Sequence, residues 1–185
     1  SGYFNPAGGK KGGLNVVLNR ESEETLSDIE PPFIYFERDQ GGHAPYRGLS
    51  YQEMLATLDH TPSSLHRYYT EMVDKSTARF EERLQTLEDR DLLDETLVIF
   101  LSDHGELLGE HGLVSHSSPP VPELVYVPTV FIHPEISGGQ RPETIRHVDL
   151  VPTILSALQS ETSVQSLDGV NICEETPGPG YNDAK

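Results

Sequence analysis

Asp103 and His104 stand side by side, and Gly105, Glu106, Glu110 and His111 follow within a few residues. A carboxylate next to an imidazole can chelate one cation, the oxygen supplying charge and the ring nitrogen supplying direction. The same pair also fits a plainer purpose, Asp103 capping a helix and His104 merely polar. Spacing alone leaves both open. Glu106 is an acceptor that orients a neighbour or an acid in a helical first turn. His43 follows Gly41-Gly42 and precedes Pro45-Tyr46, and glycines beside a histidine allow close approach to a ligand. His60 and His66 read as solvated, His133 and His147 as boundary residues, Glu123 as structural, and Tyr68 and Tyr69 as ordinary helix residues.

These groups need rigid elements to hold them. Thr96–Leu101 is a continuous apolar and β-branched run, which predicts a buried strand with Ser102 and Asp103 at its C-terminal end. Open α/β sheets place their chemistry at that end. Phe33–Glu37, Leu14–Leu18 and Pro128–Ile132 are further strand candidates. The clearest helix runs over Ser64–Arg90, where Tyr69, Met72 or Val73, Ser76, Phe80, Leu84 and Leu87 recur at three- and four-residue steps. A helix between Phe33–Glu37 and Thr96–Leu101 implies a right-handed crossover. Tyr51–Leu58 and Asp149–Leu158 read as shorter helices, the latter with Pro152 in its first turn. Pro119, Pro120 and Pro122 predict loop over most of 107–122. Glu21–Ile29 is acidic and weakly helical, Val170–Ile172 is a candidate edge strand, and residues 1–13 have no periodicity.

The formal net charge is -17, and the lysines are Lys10, Lys11, Lys75 and Lys185 alone. Such a surface repels nucleic acid and anionic membrane. An acidic excess with few lysines also suits a salt-rich interior, where a Debye length of roughly 3 Å at 1 M screens the self-repulsion. No apolar run has membrane-spanning length and no signal-peptide pattern is visible. The single cysteine, Cys173, gives no internal disulfide and favours a reducing, cytoplasmic setting.

Residues 96–112, TLVIFLSDHGELLGEHG, closely resemble the metal-binding segment of the sulfatases, within the alkaline phosphatase superfamily. Phe33–Glu37 with Gly42-His43-Ala44-Pro45-Tyr46 resembles that family's strand and histidine-proline-tyrosine loop. Val127–Phe131 and Arg146–Leu155 resemble its last core strand and following helix. The resemblance implies an α/β fold, part of an alkaline-phosphatase-like three-layer sandwich with a mostly parallel central sheet. It implies that Asp103 and His104 bind a divalent cation, most simply Ca²⁺, with Mn²⁺ or Zn²⁺ open because of His104. It implies catalytic and substrate-binding roles for His43 and His116, with His116 standing where many members carry lysine, and a site-shaping, substrate-binding role for His111.

The activity so implied is sulfuric ester hydrolysis on a small sulfate ester. Phosphodiester or phosphonate hydrolysis is the alternative, as is a non-catalytic protein that binds without turnover. The family's formylglycine nucleophile arises from a Cys/Ser-x-Pro-x-Arg motif, and these residues contain neither that motif nor its paired aspartates. The sequence is therefore expected to be the C-terminal half of a longer enzyme and inactive by itself. Residues 1–31 would form a lead-in, 32–172 the hydrolase part and 173–185 a flexible tail.

The charge makes the first prediction. Molar KCl is expected to raise the thermal midpoint, because screening relieves carboxylate repulsion over the whole surface. Micromolar Ca²⁺ at fixed ionic strength should do far less. Equal melting curves in dilute buffer and in molar KCl would contradict this.

Overall fold

A computed structural model describes residues 15–18, 25–57, 59–116, 119–140, 142–158 and 167–173. The expected lead-in loop 1–13, the first part of Glu21–Ile29 and nearly all of the tail 173–185 lie outside them. The chain divides into two compact units, Ser1–Val130 and Phe131–Lys185.

The first unit opens with β1 (Asn15–Leu18) and β2 (Phe33–Phe36), which pair in parallel, Asn15 opposite Phe33 and Leu18 opposite Phe36. Side chains alternate along β2 as a strand requires. Phe33 and Tyr35 pack on a core of Leu26, Ile29 and Leu87, whereas Ile34 and Phe36 are 44% and 59% exposed. A short helix, α1 (Tyr51–Thr57), precedes the dominant element, α2 (Pro62–Asp89). Pro62 occupies the first turn of α2, where a missing N–H is harmless. Asp59 accepts from the Thr61 N–H and from the Ser64 hydroxyl at 3.0 and 2.8 Å, placing a negative charge at the helix start. At the other end, Arg90 donates to the carbonyls of Leu26 and Ile29 at 2.6 and 2.7 Å, tying the preceding turn to the helix.

Of the expected stripe, Ser76 and Leu87 are buried and Tyr69, Met72, Phe80 and Leu84 are half-buried, and the buried face begins earlier, with Ser64, Leu65 and Tyr68. Leu65 and Tyr68 join Tyr46, Met54 and Leu108 in one core, and Leu87 reaches the other. With 28 residues, α2 is about 42 Å long and connects both cores.

β3 (Val98–Leu101) follows, shorter than the predicted Thr96–Leu101. It is half-buried rather than buried: Phe100 stacks on Phe80 of α2, but Leu101 is 40% exposed. Residues 107–122 are mostly irregular, as expected, but hold short regular pieces. β4 (Leu107–Leu108) and β5 (Val114–Ser115) form an antiparallel hairpin, and α3 (Pro122–Val125) starts on Pro122. Proline is excluded from a helix interior but suits the first position, so Pro122 opens α3. β6 (Thr129–Ile132) crosses into the second unit. No described sheet has more than two strands, so the mostly parallel central sheet, with a crossover from Phe33–Glu37 to Thr96–Leu101, is not what the described residues form. Pairing between distant strands depends on partners that no local pattern names.

In the second unit, α4 (Leu150–Ala157) carries Pro152 in its first turn as predicted. The Asp149 side chain is fully buried and accepts from the backbone N–H of Arg146 at 2.8 Å and of Val170 at 3.0 Å. The Ile172 N–H goes to the Thr153 hydroxyl at 3.2 Å. Val170–Ile172 is therefore not an edge strand, since side chains of the helical segment take the donors that a ladder would use.

Leu87 is 3% exposed where α2 meets β2, so Leu87→Ala is expected to cost about 2–5 kcal/mol in urea unfolding. A loss below about 1 kcal/mol would show that this contact does not hold α2 to the strand.

Candidate functional site

The loop carrying His43 runs back along one face of α2, fastened at successive turns. Arg83 makes a bidentate pair with Glu37, at 2.7 and 3.1 Å. One turn earlier, Arg79 reaches Asp39 at 2.6 Å, and the Ser76 hydroxyl donates to the same carboxylate at 2.5 Å. At Tyr69 the backbone itself arrives: a Cβ on Gly42 would stand 2.1 Å from the Tyr69 ring. Only glycine fits against the ring there. Tyr46 then enters the core beside Tyr68, and Arg47 pairs with Glu71 at 2.7 Å. Positions 69, 76, 79 and 83 lie on one helical face, so the loop follows a straight track. Burial pushes the Asp39 carboxyl up, but the Ser76 hydroxyl, the Gly41 N–H and Arg79 outweigh it, and the net shift is downward.

Asp103 and His104 follow β3 directly. The turn is closed by the Ser102 hydroxyl donating to the His104 carbonyl at 2.7 Å and by the His104 N–H donating to Asp103 Oδ1 at 3.1 Å. Gly105 seats the turn against α3. Its N–H donates to the Leu124 carbonyl at 2.9 Å, and a Cβ would meet the Glu123 carbonyl oxygen at 1.9 Å. No helix follows Asp103, so the capping alternative is gone; the chain enters β4 instead. At the far end of the hairpin, Ser115 has φ of 69°, a left-handed conformation unusual for a serine. It directly precedes His116.

Three histidines meet at this place. The His104 and His116 ring centroids are 4.4 Å apart, His43 and His116 4.9 Å, and His43 and His104 6.4 Å. His104 Nδ1 lies 2.8 Å from the Gly105 carbonyl, and His43 Nδ1 contacts the Ala44 carbonyl. A carbonyl only accepts, so both Nδ1 atoms carry the hydrogen and both Nε2 atoms remain to act on a ligand. Asp103 is open to solvent, its side chain 70% exposed, with Oδ1 3.9 Å from His104 Nε2.

Glu106 is the residue that the sequence undervalued. Its side chain is 4% exposed, and Oε1 lies 3.5 Å from His116 Nδ1. That oxygen has no hydrogen-bond partner among the described residues. Burial, together with the Glu106 carboxylate beside it, pushes the Tyr46 phenol up to about 12, and the same two causes raise Tyr69. The signal was present: Glu106 adjoins Leu107-Leu108, an apolar pair that β4 buries at 1% and 5% exposure. The role of Tyr69 against Gly42 had no local signature.

His111 lies in the hairpin turn, half exposed, with Nε2 3.3 Å from Glu123 Oε2, and it makes no ring contact with the other three histidines. Glu123 is lowered by its own backbone N–H and by His111. His66 pairs with Glu110 at 3.2 Å, and His133 Nδ1 accepts from the Glu135 N–H at 3.3 Å.

The Sulfatase family model matches residues 18–160. The chain belongs to the sulfatase family. Among relatives, it is 40% identical to the low-salt glycan biosynthesis sulfotransferase Agl7 of Haloferax volcanii over 87% of this chain and 41% of that protein. It is 27% identical to the choline-sulfatase of Rhizobium meliloti over 74% of this chain and 27% of that one. Human arylsulfatase K matches at 33% over 50% of this chain and 17% of that one. The chain thus spans less than half the length of these sulfatase-family relatives. Its fold resembles the crystal structure of Ps i-CgsB with a TM-score of 0.52 and 19% identity, over 82% of this chain and 33% of that one. The fold class is α/β, with mixed helices and strands.

The Asp39 carboxyl titrates below its ordinary value of 3.8 in the folded state. Its contribution is present above that value and is lost as pH falls through the lowered folded value. Asp39→Asn is therefore expected to lower stability at pH 7 and to flatten the acid limb of the stability profile. An unchanged profile would remove Asp39 from the set of groups that fix the His43 loop.

Proposed function

We propose that this chain forms the cation-binding and leaving-group side of a sulfatase site that hydrolyses a small sulfate monoester. The observation that carries the reading is the convergence of His43, His104 and His116 beyond the end of β3, with Asp103 beside them. We also place the chain in an alkaline-phosphatase-like three-layer sandwich with a mostly parallel sheet, a reading supported by the family match and the structural likeness.

Asp103 and His104 suit a divalent cation. Hydrogen bonding of His104 Nδ1 to the Gly105 carbonyl leaves Nε2 bare toward the Asp103 carboxylate, the arrangement by which a ligand histidine is oriented. A bound divalent cation there would supply Lewis acidity and a template for the sulfate oxygens. Two donors leave most of a calcium shell to water or substrate, since calcium takes about 6–8 oxygens.

The other side chains act on the ester directly. His43 and His116 face the sulfate as hydrogen-bond donors when protonated, stabilising charge that grows as the S–O bond to the leaving group breaks. As an imidazolium, with Nδ1–H held by the Ala44 carbonyl, His43 would give its Nε2 proton to the departing oxygen. His111 is reserved for shaping the pocket edge through Glu123. The nucleophile comes from outside residues 1–185, because no Cys/Ser-x-Pro-x-Arg occurs in them.

A second reading has one specific support, the 40% identity to a protein named a sulfotransferase. In that case the sulfuryl group leaves one oxygen and joins an acceptor hydroxyl rather than water, the acceptor proton passing to the leaving oxygen. The same histidines serve both reactions. That relative comes from Haloferax volcanii, which accords with a salt-adapted surface. Among the described residues, no helix is long and apolar enough to cross a membrane. We infer a cytoplasmic protein whose partner is a small anion rather than nucleic acid or lipid.

The test separates binding from turnover. The chain is expected to bind an aryl sulfate, read as shifts of the His43 and His116 ring resonances, without hydrolysing it in millimolar Ca²⁺. His43→Ala and His116→Ala should each weaken binding about tenfold or more, the worth of a charge-assisted hydrogen bond of roughly 1.5–3 kcal/mol. Unchanged affinity in both variants would refute the site. Turnover that Asp103→Ala abolishes would refute the external nucleophile.

A further inference from the structure

The Glu106 carboxylate is a misfit in the site as described so far. Its side chain is almost fully buried, yet Oε1 has no hydrogen-bond partner among the described residues, and the His116 Nδ1 stands 3.5 Å from it. A buried carboxylate without hydrogen bonds is costly unless something positive completes it. The phenols of Tyr46 and Tyr69 lie close enough to feel its charge but offer no cation.

We propose that His43, Glu106 and His116 form a second metal site, distinct from Asp103 and His104, that takes a borderline divalent transition ion of the Zn²⁺ class. One donor atom from each of the three lies within 4.8 Å of the others. Bonds of about 2.0–2.2 Å to a tetrahedral ion put its donors roughly 3.3–3.6 Å apart, so the three need to close by up to roughly 1.5 Å. Two imidazoles and one carboxylate, with a fourth position left open, is the donor set of catalytic zinc sites rather than of calcium, which wants oxygen.

The surroundings prepare these donors. The Ala44 carbonyl fixes the His43 tautomer with Nε2 bare. Gly42, pressed on the Tyr69 ring, sets the height of the His43 loop over α2. The Ser115 conformation, φ 69°, turns the chain just before His116. Glu106 lies at the base, where Leu107 and Leu108 bury the chain on either side of the hairpin pairing. With an ion bound, the positive charge facing an incoming anion would be the ion's own, and its open position would take a sulfate oxygen or a water. The inference rests on donor geometry and goes beyond the hydrolase reading, since it holds whether or not an ester is cleaved.

Zinc alone is the probe. Metal-stripped protein is titrated calorimetrically with Zn²⁺ at pH 7 and fixed ionic strength, in excess Ca²⁺ to compete at Asp103 and His104. One zinc per chain should bind with micromolar or tighter affinity. Glu106→Gln and His116→Lys should each weaken it on the order of 100-fold, and Asp103→Ala should keep it. Co²⁺ in place of zinc should give an intense visible band that Glu106→Gln loses. Zinc binding unchanged in both Glu106→Gln and His116→Lys would overturn the proposal, as would its loss in Asp103→Ala alone or its absence in the parent protein. Far-UV circular dichroism checks each fold; if Glu106→Gln unfolds, His116→Lys and His43→Ala decide the matter. No ester is present, so failure of the aryl sulfate experiment leaves this result standing, and the reverse holds too.

Discussion

The fastening of residues 37–42 along one face of α2 is the constraint on which the site depends. Strand β2 ends at Phe36, and beyond it the chain has no ladder to follow. Direction comes instead from the helix: Arg83 takes Glu37, Arg79 and Ser76 take Asp39, the Tyr69 ring takes Gly42, and Glu71 takes Arg47. Each exposed ion pair is worth little singly. In series along a rigid rod they fix register, as teeth fix a rack. The same helix buries Leu65 and Tyr68 against Leu108 of the hairpin, so both histidine-bearing loops are referred to one element.

A second layer of organisation is electrostatic. The molecule is strongly acidic outside, and it also carries a carboxylate inside, at Glu106. The neighbouring phenols respond by staying neutral, Tyr46 up to about 12 through burial first and Glu106 next. His43, His104 and His116 gather beside this buried carboxylate, His116 Nδ1 lying 3.5 Å from Glu106 Oε1.

The sequence was most legible where the physics is local. The stripe on α2, the strand before Asp103 and the proline in the first turn of α4 follow from periodicity and backbone sterics. Sheet pairing was not legible, because β1 and β2 meet across a stretch of chain that carries no pairing code. The hairpin at 107–115 was hidden by its brevity, two residues on each strand. Glu106 was hidden for a different reason. Its type says surface, and only the burial of the Leu107-Leu108 pair beside it draws it inside. Site roles for His43, His104 and His116 came from the family resemblance alone, and their packing at 4.4–6.4 Å depends on loops meeting in space.

The outward face of β2 bears on how copies of the molecule behave together. Ile34 and Phe36 present a small greasy stripe on a short strand, the kind of surface that invites like to meet like. In dilute buffer the acidic surplus keeps molecules apart before the stripes can touch. Concentrated salt shrinks that repulsion to molecular contact distance. The ionic conditions that let one chain fold more comfortably are therefore those in which neighbouring chains lose their mutual insulation, and colloidal behaviour and conformational stability pull in opposite directions.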